Sequence, residues 1–297
     1  MKRPLASLLL AAIWGLPAFG DEGQLPVAEG LILDLNANQG VVTEDGDRVA
    51  VWRNQAPNRS AVDFVKQDRG RKLAGSGRPT LTKNLAALGG SNALVFAEQE
   101  LVNHEEDAFD HLITGQGYTW FSVMAVHPQQ VGKKDVNSFF GNLRNGPPYE
   151  GFWGNLMDDN RLWMGTRNGL KPEASEDAGN ASSLWHAELN PLVVTNKPLE
   201  TNRFYLLAGR MGSGLGRVSL ELFVNDSTPV ASETVPVNPE ANPSKLAIGQ
   251  ERDAIEHPGK ESFHGEIARF LIYERPLSDA EMQAMTRSLR ESYNLRF

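Results

Sequence analysis

Short stretches of apolar or alternating residues predict a chain built mainly from β-strands. Residues 117–126 are nearly continuous in apolar and β-branched side chains, which is typical of a strand buried on both faces. Over residues 217–224, apolar residues at every second position alternate with Ser219 and Glu221. A period of two places the two sets on opposite faces, so we expect a strand with one half-exposed face.

The end of the chain combines a strand and a helix with clear signatures. Residues 263–273 begin with a period of two and continue as an apolar run, which predicts a buried strand. Ser278 and Glu281 have the spacing of a capping box, in which each side chain satisfies a free backbone amide at a helix start. The helix that follows carries one apolar stripe, made of Met282, Met285, Leu289 and Tyr293.

Many short strands, regular turn signals and a single good helix predict an all-β fold, an antiparallel β-sandwich with a short C-terminal helix. Asp45 and Gly46 supply the positive φ of a tight hairpin turn between two of the strands. No repeat of fixed period is evident, which argues against a propeller or a solenoid. Residues 166–202 are rich in Gly, Pro and acidic residues, so we predict a loop-rich insertion there, as a binding loop or as a tolerated surface excursion.

Motifs at both ends of the chain carry a family resemblance. Residues 265–273 read Gly-Glu-Ile-Ala-x-x-Leu-Ile-Tyr, and residues 275–281 read Arg-Pro-Leu-Ser-Asp-Ala-Glu. With the Asp-Gly turn and the Val49-x-x-Trp52 strand, these motifs resemble secreted bacterial members of the laminin G-like, concanavalin A-like jelly-roll superfamily. The resemblance implies a single jelly-roll domain over residues 21–297. Because that superfamily includes lectins, carbohydrate-binding modules, polysaccharide lyases and glycosidases, function has to be argued from the site.

Length and charge exclude some classes of partner. A chain of 297 residues with 40% hydrophobic residues can bury a substantial core in one large domain, or in two at most. The net charge is −8, and no dense Lys/Arg cluster is present. Nucleic-acid binding requires a basic surface that neutralises phosphates, so we expect no nucleic-acid partner.

The first residues predict export. Residues 1–20 combine a basic start, an apolar run over residues 5–16 and small residues, Ala18 and Gly20, before the cleavage point of a signal peptide. No other apolar run approaches the roughly 20 residues of a membrane helix. The chain has no cysteine, so we expect neither a lipoprotein anchor nor disulfide bonds. We therefore expect a secreted or periplasmic protein with no membrane span.

Aromatic and polar residues suited to sugar binding concentrate over residues 142–163. Sugar rings present C–H faces that stack on Trp and Tyr, while Asn and Arg hydrogen-bond to hydroxyls. We predict the ligand-binding residues to be Arg144, Tyr149, Trp153, Asn155 and Trp163. The alternative interpretation is that both tryptophans are large core residues.

A structural calcium is a further expectation, since sandwiches of this superfamily often hold one on loop oxygens. Asp158, Asp159 and Asn160 form one oxygen-rich cluster, and Asp45 with Asp47 forms another. Each of these clusters is equally typical of a plain turn.

Glu105, Asp107 and Asp110 imitate the carboxylate spacing of concanavalin A-like glycosidases, which place three carboxylates on one strand face. Their surroundings are too polar for a buried strand, so we predict a loop or short helix instead. The arginine-rich and Gln-x-His motifs of jelly-roll alginate lyases are absent from the sequence.

The sequence therefore favours an exported, non-catalytic module that binds a polysaccharide or another extracellular glycan. A polysaccharide lyase or glycoside hydrolase on the same sandwich is the first alternative. A laminin G-type protein adhesion domain is the second.

Overall fold

The structure is a computed structural model that describes residues 25–57, 63–129, 134–144, 149–170, 189–252 and 259–297. It is all-β and antiparallel, with one α-helix at the C-terminal end, α1 (Asp279–Ser292). In chain order, the strands are β1 (Leu31–Asn36), β2 (Val41–Glu44), β3 (Arg48–Trp52), β4 (Phe64–Lys66), β5 (Thr80–Leu85), β6 (Ser91–Ala97), β7 (Leu101–Val102), β8 (Tyr118–Val126), β9 (Asn137–Gly141), β10 (Glu150–Leu156), β11 (Arg161–Asn168), β12 (Leu192–Pro198), β13 (Phe204–Met211), β14 (Arg217–Val224), β15 (Ala231–Pro236), β16 (Ala247–Ile248) and β17 (His264–Tyr273).

A first layer is built around β8, which pairs with β17 on one side and with β13 on the other. Strands β14 and β15 extend this layer beyond β13. The far side of β17 pairs with β6 along its first half and with β1 along its second, and β5 pairs with β6. Every residue of β8 is buried, which confirms the prediction of a central strand.

The second layer runs in the order β2, β3, β4, β7, β16, β9, β10, β11 and β12. One pair, Arg48 with Thr80, joins β3 to β5 and so connects the two layers at one edge. At the other edge β12 lies beside β14 and β15. The sheet therefore folds back on itself and is nearly closed.

Aromatic rings from the two layers meet in the main core. The ring of Trp120 on β8 lies 5.3 Å from that of Phe140 on β9, and Phe140 lies 4.8 Å from Phe270 on β17. Tyr118 and Phe152 make a third contact between the layers, at 4.7 Å. Each such side chain contributes about 1.5–3 kcal/mol by leaving water, so this interface is what holds the layers together.

Helix α1 seals the outer face of the first layer. Ser278 Oγ accepts from Glu281 N, and Glu281 Oε2 accepts from Ser278 N at 2.8 Å, so the predicted capping box is confirmed. The apolar stripe of the helix packs with outward-facing residues of the central strands in one cluster, among them Phe121, Leu271, Met282, Met285 and Leu289. Among the described residues, no helix combines the length and the apolar character needed to cross a membrane.

The structure shortens the predicted insertion at both ends. Strand β11 continues to Asn168, and β12 occupies residues 192–198, so part of the stretch over residues 166–202 is regular sheet. Residues 171–188 lie outside the described part of the chain, as does the predicted signal peptide. The Asp45–Gly46 turn has positive φ at both residues, 52° and 87°, as predicted for the hairpin.

Candidate functional site

On the outer face of the second layer, aromatic and charged residues gather around one point. Along β11, Leu162 and Met164 belong to the core between the layers, whereas Trp163 belongs to a separate outer cluster. Alternation along the strand places Arg167 on the same outer face. On β10, Trp153 faces outward in the same way, since its neighbour Phe152 lies in the core.

Three of these side chains and Tyr149, which packs against them, form one contiguous group that we name the arginine–aromatic cluster: Tyr149, Trp153, Trp163 and Arg167. The indole rings of Trp153 and Trp163 meet edge to face, with centroids 5.7 Å apart. The Arg167 guanidinium lies 5.2 Å from the Tyr149 ring centroid and 5.7 Å from that of Trp153. Cation–π contact of this kind is worth about 0.5–2 kcal/mol and fixes the guanidinium against the rings.

Two glycines make room for this cluster. A Cβ at Gly165 would lie 2.4 Å from Trp153 Cζ2, so only glycine lets the indole lie over β11. A Cβ at Gly141 would lie 2.3 Å from the carbonyl oxygen of Glu251. Because Gly141 pairs with Trp153, this contact brings the chain at Glu251 across the outer face beside the tryptophan.

A buried ion cluster, made of Glu251, Arg252 and Glu261, adjoins the rings. Arg252 Nε donates to Glu261 Oε2 at 2.9 Å, and its Nη2 lies 3.6 Å from Glu251 Oε2. Burial disfavours the charged form of Arg252, but the two carboxylates outweigh it and raise its pKa. Burial lowers the pKa of Arg167, and the opposing attraction of Glu251 does not fully offset that effect. The site therefore presents charge in a nearly dry environment, where electrostatic interactions are strong.

The structure brings together three of the five predicted ligand-binding residues, Tyr149, Trp153 and Trp163. The two tryptophans are 1% and 3% exposed, so they are as buried as the core interpretation requires, but in a separate cluster from the main core. Arg144 lies apart, where its Nη2 donates to Pro243 O at 2.8 Å and approaches Glu106 Oε1 to 3.5 Å.

Asn155, the fifth predicted residue, is fully buried, and its Oδ1 accepts from the backbone N of Asn137 and, at 2.8 Å, of Leu156. These two bonds fix the orientation of its amide group. The residue pairs with Trp163 across β10 and β11, so its buried side chain projects from the same outer face.

The predicted calcium cluster forms the turn between β10 and β11. Asp158 Oδ1 accepts from Asp135 N and from Asn137 Nδ2, both at 3.1 Å. Asp159 accepts from Arg161 N at 3.0 Å, and this bond, with burial opposing it, lowers the pKa of Asp159. Because the carboxylates already face N–H donors, this geometry fits a turn better than an oxygen cage for calcium. No group of three or more His, Asp or Glu residues suited to a metal occurs among the described residues.

The carboxylate-rich segment before β8 lies in turns and in a short 3₁₀ helix (Asp110–Leu112), which confirms the prediction of a loop or short helix. Burial, followed by the negative charge of Asp107, raises the pKa of Asp110 to about 6. Asp110 Oδ1 is buried and has no hydrogen-bond partner. This carboxyl therefore holds its proton to a higher pH than an ordinary aspartate does.

The sequence interpretation missed Arg167 and the buried ion cluster. Arg167 stands two residues beyond Gly165 and four beyond Trp163, and continuing the period of two past residue 165 would have placed it on the same face. Glu251, Arg252 and Glu261 come from a part of the chain distant from β10 and β11, and no local pattern signals their approach.

No model of a known protein family matches the sequence, and no curated protein matches it at a significant level. Among solved structures, Trypanosoma rangeli sialidase in complex with 2,3-difluoro-KDN is similar, with a TM-score of 0.51 and 14% identity over 92% of this chain. The same sialidase in complex with sialic acid gives a TM-score of 0.50 and 15% identity over 92% of this chain. This chain covers 34% and 35% of those two chains, about a third of their length. At such low identity the likeness concerns the fold.

Proposed function

We propose that this protein is an exported, non-catalytic module that binds a polysaccharide or another extracellular glycan through the arginine–aromatic cluster. The observation that carries the proposal is the gathering of three aromatic rings and an arginine on the outer face of the second layer. The opposite outer face, under α1, is covered by apolar side chains around one buried ion pair, Arg269 with Asp34.

The chemistry of the cluster suits a sugar. Aromatic rings stack against the C–H faces of a pyranose, and a guanidinium held against those rings offers several donors to hydroxyl or carboxylate oxygens. Tyr149 is only partly buried, so it is the ring of the cluster that a ligand meets first. The similar sialidase structures contain sialic acid or a difluoro-KDN ligand, which supports a glycan as the ligand class.

We also propose that the fold is a jelly roll of the concanavalin A-like superfamily. The two facing antiparallel layers support this assignment, as do the C-terminal strand and capped helix that carry the sequence resemblance. A structural calcium stays a prediction.

The proposal is tested with a glycan panel in affinity gels, followed by calorimetry on any glycan that binds. We expect Tyr149→Ala to weaken binding roughly tenfold, because losing about 1.4 kcal/mol of stacking changes the dissociation constant by that factor. The matched control is Phe297→Ala. Phe297 is also an aromatic residue under an arginine, with Arg290 5.1 Å from its ring, but it lies at the far end of the chain.

We expect the Phe297→Ala protein to bind as the wild type does. Failure of the wild-type protein to bind any glycan across a broad panel would overturn the proposal. Equal losses of glycan affinity in the two variants would show that the arginine–aromatic cluster is not part of the binding site.

A glycan-degrading enzyme is the second candidate, and the raised pKa of Asp110 is the observation that favours it. A carboxyl that titrates near pH 6 can act as a general acid, and Glu106, Asp107 and Arg144 contribute to its electrostatic environment. An enzyme would release reducing ends or unsaturated uronates from the same panel, and Asp110→Asn would abolish the release. Absence of turnover by the wild-type protein would eliminate this candidate.

A further inference from the structure

A row of polar side chains crosses the second layer beside the arginine–aromatic cluster. Gln250 pairs with Ser262, and Ser262 pairs with Ser138. Ser138 pairs in turn with Asn155 on β10. Residues paired across neighbouring strands project from the same face, about 4.5–5.5 Å apart at Cβ. We name these four residues, Gln250, Ser262, Ser138 and Asn155, the buried polar row.

The row lies on the outer face. Leu156 and Phe263, which adjoin Asn155 and Ser262 in sequence, belong to the core between the layers, so Asn155 and Ser262 point the other way. Ser138 pairs with Asn155 and therefore projects from the same face. Asn155 pairs with Trp163 on β11, which continues the row into the arginine–aromatic cluster. The polar row and the aromatic rings therefore form one continuous surface.

Polar atoms in this row lack hydrogen-bond partners although the side chains are almost fully buried. Gln250 is 1% exposed, and Ser138 and Asn155 are fully buried. Four atoms have no partner: Gln250 Oε1, Gln250 Nε2, Ser138 Oγ and Asn155 Nδ2. Leaving a buried polar group unpaired costs about 1–3 kcal/mol, so four of them in one row indicate a place built for polar atoms from outside the chain.

The kinds of unpaired atoms define what fits there. Asn155 Nδ2 is a donor, because two backbone N–H groups hold its Oδ1 as the acceptor. Ser138 Oγ donates and accepts, and the Gln250 amide offers one acceptor and one donor. A bare cation would be repelled by the N–H donors, and a carboxylate would leave the Gln250 oxygen unpaired. Hydroxyl groups, which donate and accept, satisfy the whole set.

We propose that the buried polar row is the hydroxyl-recognising part of the glycan site, and that Gln250 binds two neighbouring hydroxyls of the sugar. The Gln250 Oε1 accepts from one hydroxyl while Nε2 donates to the next. Trp163 lies four pairings along the same face, about 20 Å away, so it contacts a different sugar residue of the glycan. This inference rests on the proposed function, because it places a sugar on the same face.

Burial of the row has a kinetic consequence. Since the four side chains are closed to solvent in this structure, a ligand reaches them only after a local opening. We therefore expect association below the roughly 10⁵ M⁻¹ s⁻¹ of ordinary docking. Water is the competing occupant, because small buried polar cavities often hold it.

The experiment compares Gln250→Met with Gln67→Met by calorimetry and thermal denaturation. Gln67 is the matched control, a second buried glutamine whose Oε1 accepts from Arg69 N at 3.2 Å. The probes are sialic acid, galactose and mannose, each with a deoxy analogue that lacks one hydroxyl of a neighbouring pair. We expect Gln250→Met to weaken binding of the preferred sugar at least tenfold without lowering the melting temperature. Gln67→Met should lower the melting temperature and leave affinity unchanged.

Three outcomes separate the possibilities. If wild-type protein prefers the sugar with both hydroxyls and Gln250→Met loses that preference, the inference stands. If Gln250→Met binds the sugar and its deoxy analogue just as wild-type protein does, the row holds water only and the inference is wrong, while the proposed function survives. If the wild-type protein binds neither these sugars nor any glycan of the panel, the proposed function fails and this inference fails with it.

Discussion

The two outer faces of this molecule treat buried polar groups differently. On the first layer, α1 covers apolar side chains of β8, β13 and β17, and the buried Arg269 on β17 pairs with Asp34 through two hydrogen bonds, at 2.9 and 2.7 Å. On the second layer, β9, β10 and β11 present indole rings, an arginine and buried amides, beside an ion cluster from the chain around Glu251.

The first face serves stability, whereas the second has the features of a recognition site. Apolar packing gains free energy simply by leaving water, and the first face therefore has no need of a ligand. Buried polar groups cost free energy unless each finds a partner. Both faces contain buried ion pairs, but the unpaired amides of Gln250 and Asn155 lie on the second face, so they indicate a selected property of that face. Functional sites are where a chain departs from what stability alone would choose.

The largest effect that tests this comparison is expected in the ion cluster of the second face. Glu261→Gln leaves the Arg252 guanidinium without a carboxylate that it contacts through Nε at 2.9 Å. Breaking a buried ion pair costs about 3–5 kcal/mol, and urea denaturation should show a fall of that size in the free energy of unfolding.

Glu200→Gln is the control for that change, because Glu200 pairs with Arg203 at 3.1 Å on the surface. Its loss should cost less than about 1 kcal/mol. Equal effects in the two variants would contradict the view that the second face holds charge in a dry environment.

A substitution on the first face should change the stability of the protein and not its glycan affinity. Leu289→Ala removes a side chain that is 1% exposed under α1, and we expect a loss of about 2–5 kcal/mol. Glycan affinity of the folded protein should not change, since the helix lies on the opposite side of the sheets. A large loss of affinity in folded Leu289→Ala protein would show that the two faces are not independent.

A smaller effect concerns the start of α1 at acid pH. The hydrogen bond from Arg275, aided by Ser278, lowers the pKa of Glu281 from 4.5 to about 2. A group whose folded pKa is depressed stabilises the fold fully above its unfolded pKa and loses that contribution as pH falls toward the folded value. Stability should therefore decline as pH falls from about 4.5 to about 2, and Glu281→Gln should show less of this decline. An identical pH profile in both proteins would exclude Glu281 from the anchoring of the helix.

Local patterns predicted much of the fold but only part of the site. The burial of β8, the Asp45–Gly46 turn and the capping box at Ser278 follow from neighbouring residues, and each is confirmed. The regular pattern of β10 and β11 placed Trp153 and Trp163 on consecutive strands, as the structure has them, and their part in ligand binding stays a prediction.

Arg167 was missed because the Gly- and Pro-rich composition beyond residue 165 suggested a loop, while strand pairing with β10 continues to Asn168. The ion cluster and the buried polar row could not be predicted from the sequence for a different reason. Gln250 and Ser138 are more than a hundred residues apart in the chain, and only the bridges through Ser262 bring them together. Sequence periodicity carries no information about such long-range pairing.

The central claim, that the outer face of the second layer binds a glycan, is tested most directly by the indole N–H resonances of the tryptophans during a glycan titration. Trp153 and Trp163 lie in the arginine–aromatic cluster, whereas Trp52 and Trp120 lie in the core between the layers. We predict that a bound glycan shifts the resonances of Trp153 and Trp163 and leaves those of Trp52 and Trp120 in place. Binding that leaves Trp153 and Trp163 unshifted would contradict the account.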